Sequence, residues 1–431
     1  MKNEKTKNKE LLEEAVKQNS NKKQVEDKTF SIFKISELGY VVTGKTPSKD
    51  NPEDWGDLMP FVTPSDYKNY RKYAIGSERM LSQQGVTRLS SKVLPPKSVL
   101  VTCIGSDMGK VVMNNCEVIT NQQINSIIPF NNIVDNNFLY YSLVNLYDTL
   151  RVYGGDGSAV PILNKSDFEN IEIDIPPLPE QRAIAAVLSS LDDKIDLLHR
   201  QNKTLEAMAE TLFRQWFIEP CKNGLPEGWE KGKLGDYVDC INGVSYKGSD
   251  LNTSDCALVT LKNFDPNGGF RLDGFKCYTG KYKEEQIVWN GDLAVAHTDI
   301  TQDASIIGNP IYIIDDPKYK TLVISMDLVK VNPKHTWLSK EFLYLLMKTS
   351  DFKEHCLGLS NGSTVLHLSR RAVPSYAFKM PPRVVIEEFT KIVKGIFSKM
   401  NKNIVQIRNL EKLRDLLLPK LISGEIRVRY E

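Results

Sequence analysis

Between Ile184 and Trp216 the chain carries an apolar stripe whose members step by alternating four and three residues: Ile184, Leu188, Leu191, Ile195, Leu198, Asn202, Leu205, Ala209, Leu212 and Trp216. A 3.5-residue spacing held over more than four heptads predicts one long α-helix burying a narrow seam. The stripe then recurs. Moving 205 residues along lands on Phe389, Val393, Ile396, Met400, Asn403, Ile407, Leu410, Arg414, Leu417 and Leu421, eight of ten apolar. Two long helices with matching seams are expected to bury them against each other; the alternative is that each packs on its own domain. Asn202 and Asn403 are polar positions of the two seams, where such a residue can fix register at some cost in stability.

The same offset reaches upstream. Gly157-Ser158 matches Gly362-Ser363, and Pro176-Pro177 matches Pro381-Pro382. Each proline pair stops strand pairing and marks the boundary of the helix that follows. Ahead of both helices lie short β-type runs, "KSVLVTCI" and "KVVMNNCEVIT" in the first half, "ALVTLKNF" and "PIYIID" in the second. Each half also holds a helical stretch at an equivalent place, "NNFLYYSLVNLYDTL" and "SKEFLYLLMKTSDFKEH". The expected order is a polar, Lys-rich extension at 1–28, a strand-rich domain at 29–178 and a long helix at 179–219. A second strand-rich domain follows at 220–382, then a second helix and tail at 383–431. The fold class is therefore α+β: two strand-rich domains separated by an antiparallel two-helix coiled coil, in a pseudo-twofold repeat.

With 431 residues the chain has material for two or three domains. No apolar run approaches the roughly 18 residues that cross a bilayer, and "MKNEKTKNKE" has no apolar signal core, which favours a cytoplasmic location. Seven cysteines are scattered singly and five histidines show no ligand spacing, so neither a disulfide framework nor a metal site is expected. The formal charge of +2 is neutral on nucleic acid, but Phe61 to Lys110 holds eight basic residues against three acidic ones, interleaved with Tyr67, Tyr70 and Tyr73.

One motif points elsewhere. "LGYVVTGKTPSKD" satisfies G-x-x-x-x-G-K-[ST], the phosphate-cradling loop of nucleotide hydrolases. Its interior, Tyr40-Val41-Val42-Thr43, is bulky and β-branched, and no periodic helix begins at Lys45-Thr46. The matching stretch of the second half, "LGDYVDCINGVSYKG", has no Gly-Lys-Thr. The motif reads as a coincidence. No methyltransferase, nucleophile-elbow or nuclease constellation appears either, which leaves recognition as the expected role.

Several stretches resemble the DNA specificity (S) subunits of type I restriction–modification systems. They are "TGKTPSKDNPEDWG", "ITNQQIN", "PPLPEQRAIAAVLSSLDDKIDLLHRQNKTLEAMAETLFRQWF" and "LEKLRDLLLPKLISGEIRV". The family usually reads Gly-Gly-Thr-Pro-Ser where this chain has Gly44-Lys45-Thr46-Pro47-Ser48, so Lys45 alone creates the nucleotide-loop match. The second half departs from the pattern: "RVVIEEF" follows Pro381-Pro382 without the Glu-Gln pair. The resemblance implies two target-recognition domains, each reading half of a split, asymmetric DNA sequence. It implies two modification subunits carrying S-adenosylmethionine and restriction subunits using ATP and Mg as partners, and no cofactor on this chain.

Side chains able to reach groove edges select Lys68, Asn69, Tyr70, Arg71 and Lys72 in the first domain, and Lys262, Asn263 and Arg271 in the second. Over the 32 steps from Ile184 to Trp216 a helix spans roughly 48 Å, on the order of 14 base pairs of duplex. Two other readings stay open: a nucleotide-driven enzyme using Lys45, and an adaptor whose repeated domains bind peptides.

Overall fold

The computed structural model describes residues 30–153, 162–265, 269–301, 304–362 and 365–429. The expected N-terminal extension, Gly157-Ser158 and Ser363 lie outside these. The chain forms two compact units, one of residues up to 196 with 408 onward, the other of 197–407. Each unit thus holds one strand-rich domain together with a part of both long helices, where the sequence pattern drew its borders at the helix ends.

In the first unit a five-stranded sheet runs Gly39–Thr43, Ile124–Pro129, Val99–Thr102, Val111–Asn114, Tyr73–Ala74. A second sheet runs Trp55–Gly56, Arg79–Leu81, Met59–Val62, Ile119–Thr120. The central strands read "VLVT" and "VVMN", buried on both faces, which explains their unbroken β-branched character.

The second unit repeats much of this order, with four strands in its central sheet instead of five. Its central sheet runs Val238–Asn242, Leu328–Pro333, Leu293–Ala296, Pro310–Tyr312, and its other sheet Lys276–Cys277, Cys256–Val259, Thr321–Ile324, Ile287–Val288. Even the pairing sense recurs: Met59–Val62 runs parallel to Ile119–Thr120, and Cys256–Val259 parallel to Thr321–Ile324. In each copy a small antiparallel ribbon leads into the prolines, Ser31–Lys34 with Glu172–Ile175 and Glu230–Lys233 with Ala377–Met380.

The expected helices of each half form and are capped. Asp135 accepts from the Asn137 and Phe138 amides ahead of Asn136–Asn145, and Ser339 accepts from Phe342 ahead of Lys340–Met347.

The first long helix covers Leu178–Phe213 and passes into a π-helical turn, Arg214–Ile218; the second covers Arg383–Ile422. In the first unit Ile184 and Leu188 share a core with Leu417, Leu418, Leu421 and Ile422. In the second, Ala209, Leu212, Phe213 and Trp216 share one with Phe389, Val393 and Ile396. The remaining seam positions Leu191, Ile195, Leu198, Leu205, Ile407 and Leu410 are buried or half-buried. The same cores also take in domain residues such as Phe138 and Leu139 in one unit and Phe342 and Leu343 in the other, so each helix segment packs on its own domain as well as on the other helix. Among the described residues no helix is long and apolar enough to cross a membrane.

Candidate nucleic-acid interface

The motif after Pro176-Pro177 has a physical reason. Glu180, almost wholly buried, receives both Nε (2.5 Å) and Nη2 (2.7 Å) of Arg427 from the tail. Gln181 donates to the carbonyls of Pro176 (2.8 Å) and Ile133 (3.1 Å) and accepts from the Asp135 amide (2.8 Å). The pair therefore fastens the helix start to the tail and to the domain helix. In the second half Val385 and Ile386 stand at these positions and pack into the core, which is how that half dispenses with Glu-Gln.

Each domain is clamped to a long helix by a tyrosine and an acid. Tyr141 donates to Asp192 at 2.6 Å, and Asp192 pairs with Arg414 at 2.9 Å, which accounts for an arginine at a seam position. In the second unit Tyr344 donates to Glu206 at 2.9 Å, and Lys348 bridges Glu206 and Glu210 at 2.5 and 2.7 Å.

This clamp corrects one expectation. Lys72 is 6% exposed, donates to Ser189 at 2.8 Å and lies 5.0 Å from the Tyr141 ring, so it anchors the domain on the helix rather than facing a ligand. Burial lowers its pKa from the ordinary lysine value, against the pull of Asp192 and Asp193. Arg71 faces the same helix, 3.0 Å from Asp196. Tyr70 donates to the Gly76 carbonyl, and burial, then Asp66, raises its pKa. Lys68 is exposed and paired with Glu78 at 3.1 Å. Asn69 closes the 3-10 turn Pro64–Asn69; its side chain lies outside the description.

A second correction concerns Asn263. It is fully buried, accepting from the Thr260 amide (2.8 Å) and donating to the Arg271 carbonyl (2.8 Å), which makes it a loop brace. Arg271 is exposed and grips Asp273 through Nε and Nη2 at 3.0 and 2.6 Å; that hydrogen bond lowers the Asp273 pKa. Lys262 is exposed. Of the selected residues, Lys72 and Asn263 are buried, whereas Lys68, Arg71, Lys262 and Arg271 are exposed.

The nucleotide-loop match dissolves in the geometry. Gly39–Thr43 is a strand paired with Ile124–Pro129, and the amides a phosphate would need are spent on carbonyls: Gly44 on Ile124 (3.2 Å), Lys45 on Thr120 (2.9 Å). No helix starts at Thr46, whose hydroxyl donates to Gln122 Oε1 at 2.6 Å. Gly44 is required because a β-carbon there would strike the carbonyl oxygens of Thr120 and Asn121.

That crossing repeats in the second unit bond for bond. The amides of Gly243 and Val244 reach Leu328 (3.1 Å) and Ile324 (2.8 Å), and a β-carbon on Gly243 would strike the carbonyls of Ser325 and Ile324. Beside it, the Cys103 amide donates to Gln123 and the Leu163 amide to Cys103, both at 2.8 Å. The counterparts are His297 to Asp327 (2.7 Å) and Leu368 to His297 (2.8 Å). Four loops therefore meet at one junction in each unit, on the same backbone bonds.

The side chains at the junction differ: Lys45, Thr46, Gln122 and Gln123 in one copy, Val244, Ser245, Met326 and Asp327 in the other. Exposed Ser106 and Gln122 flank the first junction, exposed Ile300, Met326 and His367 the second. The residue choice from sequence missed this surface. The stretches "TNQQI" and "ISMDL", 204 residues apart, share no residue, so no sequence signal marks the equivalence. Among the described residues no group of three or more His, Cys, Asp or Glu could hold a metal ion.

Residues 27–207 match the family model described as the type I restriction modification DNA specificity domain. The chain is 30% identical to the type I restriction enzyme MjaIX specificity subunit of Methanocaldococcus jannaschii, over 93% of this chain and 94% of that protein. It is 40% identical to the HindI specificity subunit of Haemophilus influenzae over 33% of this chain and 31% of that protein. Among solved structures, the type I restriction–modification S subunit from M. genitalium is similar in fold, with a TM-score of 0.56 at 16% identity, covering 93% of this chain and 98% of that one.

Proposed function

The chain belongs to the DNA specificity subunits of type I restriction–modification systems, and on that premise we propose that each of its two units reads one half of a split, asymmetric DNA sequence. It is the recognition component of such a complex and does no chemistry itself. The observation that carries the split-site reading is the duplicated junction: one backbone frame, present twice, bearing two different sets of exposed side chains. Identical readers would call for a palindromic site; unlike readers call for unlike halves.

Partners follow from the same premise. Type I complexes join specificity subunits to modification and restriction subunits, and exposed apolar residues on the long helices offer them a docking face: Val384 and Ile392 in the second unit, Leu413 and Leu416 in the first. We assign S-adenosylmethionine, ATP and Mg to those partners and no cofactor to this chain. Lys45 then has no nucleotide role, in keeping with amides already committed to Ile124 and Thr120.

The test is to sequence methylated bases in the genome of cells carrying this chain with its modification subunits. The reading expects one motif of two unrelated halves around a fixed, unread spacer. A continuous or palindromic motif would refute it.

A further inference from the structure

The second unit leaves open a sheet edge that the first unit closes with its own chain. In the first, the Met113 amide donates to the Lys72 carbonyl at 2.8 Å, and Tyr73–Ala74 lies parallel to Val111–Asn114 as a fifth strand. Tyr312 is the counterpart of Met113. The amides of Lys97 and Gly291, both at positive φ, donate to the carbonyls of Asn114 and Ile313 at 2.8 Å each, which sets one register in both units. Among the described residues nothing accepts from the Tyr312 amide. The stretch that would supply the strand folds back instead: Phe264 bridges Phe270, and buried Asn263 donates to the Arg271 carbonyl at 2.8 Å.

Tyr312 lines a cavity of about 570 Å³, far larger than the voids of a packed interior. Its other wall is the second long helix, through Lys394, Phe397, Ser398, Asn401 and Lys402. At the 205-residue offset the first four of these answer to Ser189, Asp192, Asp193 and Asp196. Those residues receive the inserted strand of the first unit. Ser189 accepts from Lys72 at 2.8 Å, Asp192 and Asp193 attract its charge, and Asp196 pairs with Arg71 at 3.0 Å. The cavity therefore occupies the place that Arg71 and Lys72 take in the first unit.

The charge on the helix wall is reversed. Acids face a basic strand in the first unit, whereas the second offers Lys394 and Lys402, both exposed and without an ion pair among the described residues. Lys340 is committed to Asp292 at 2.6 Å, and Glu341 and Asp315 line the cavity from the domain side. The Tyr312 hydroxyl is buried with no hydrogen-bond partner. We infer that the cavity takes an extended acidic segment of a partner subunit, which adds a fifth strand beside Tyr312 and sets its carboxylates against Lys394 and Lys402. The inference rests on the reading that this chain works in a complex with modification and restriction subunits.

The experiment uses the complex reconstituted with both kinds of partner. Failure to assemble would refute the partner reading, and the inference with it. Within the complex, a carbodiimide joins a lysine amine to a carboxylate in contact with it, and mass spectrometry identifies the joined peptides. Lys394 and Lys402 are expected to be joined to acids of one partner segment. Hydrogen exchange at the Tyr312 amide should slow by about tenfold or more on assembly, as a new ladder bond requires. The double variant Lys394→Glu, Lys402→Glu should weaken assembly about tenfold and leave unfolding of the isolated chain unchanged. Cross-links confined to this chain's own acids, or unchanged exchange at Tyr312, would overturn the assignment. So would intact assembly of the double variant with a shallower salt dependence of duplex binding, which would place both lysines on DNA phosphates.

Discussion

The Nδ2 group of Asn403 donates to Oδ1 of Asn202 at 2.8 Å, and Asn202 in turn donates to the Met400 carbonyl at 3.3 Å. Asn403 is 1% exposed, so a shifted register would bury its amide against leucine or isoleucine. Replacing Asn403 alone with leucine takes the donor from Asn202 Oδ1 and is expected to cost about 1–3 kcal/mol. Converting both to leucine should cost less than the sum of the single changes. Thermal unfolding of the three variants measures this, and strict additivity would show that the pair does not act as a unit.

Arg427→Ala leaves the Glu180 carboxylate buried without its fork of donors. Removing one partner of a buried pair costs ~3–5 kcal/mol, and the lower end is expected because Arg427 is partly exposed. Arg427→Lys should recover less than half, since a point charge cannot make two parallel bonds. Chemical denaturation of the first-unit transition reads both.

Lys72→Met separates anchoring from DNA contact. The side chain keeps its apolar bulk but loses the bond to Ser189. Stability should fall by about 1–3 kcal/mol while the salt dependence of duplex binding stays unchanged. A slope shallower by about 0.9 would instead place Lys72 on a phosphate.

Asp299 is fully buried. Its carboxylate accepts from the Thr301 hydroxyl (2.6 Å) and from the Thr301, Ile306 and Ile307 amides (2.7 Å each). Burial acts to raise its pKa, but these donors prevail and hold it below the ordinary aspartate value. A depressed carboxylate contributes stability above its unfolded pKa of about 3.9 and loses it as pH falls through the lower folded value. Asp299→Asn should therefore be less stable by about 2 kcal/mol at neutral pH, with the gap closing below about pH 4. A gap constant with pH would assign the effect to shape rather than charge.

Much of the frame was readable in the sequence because a 3.5-residue period and a 205-residue repeat are long signals. Ile184 to Leu212 and Phe389 to Leu421 announce their helices without help from tertiary structure. Arg414 looked like a break in the seam, and only the position of Asp192, brought by the other helix, explains it. The DNA-facing choices depended on residue type alone. Lys72 and Asn263 carry suitable groups but spend them inside the fold, a fact fixed by Ser189 and Arg271, which are 117 and 8 residues away. The junction escaped because its marker is backbone pairing, which no side-chain pattern reports. The same pairing explains why Gly44-Lys45-Thr46 imitated a phosphate loop: the glycine serves a tight strand crossing, shared with Gly243.

The frame makes a metric claim as well. Deleting one matched heptad from each long helix shortens it by about 10 Å, or roughly three base pairs of duplex. Methylation sequencing of cells carrying that variant with its modification subunits tests this most directly. Both half-sites should keep their sequences while the spacer between them contracts by about three base pairs. The same halves at the original spacing would contradict the account.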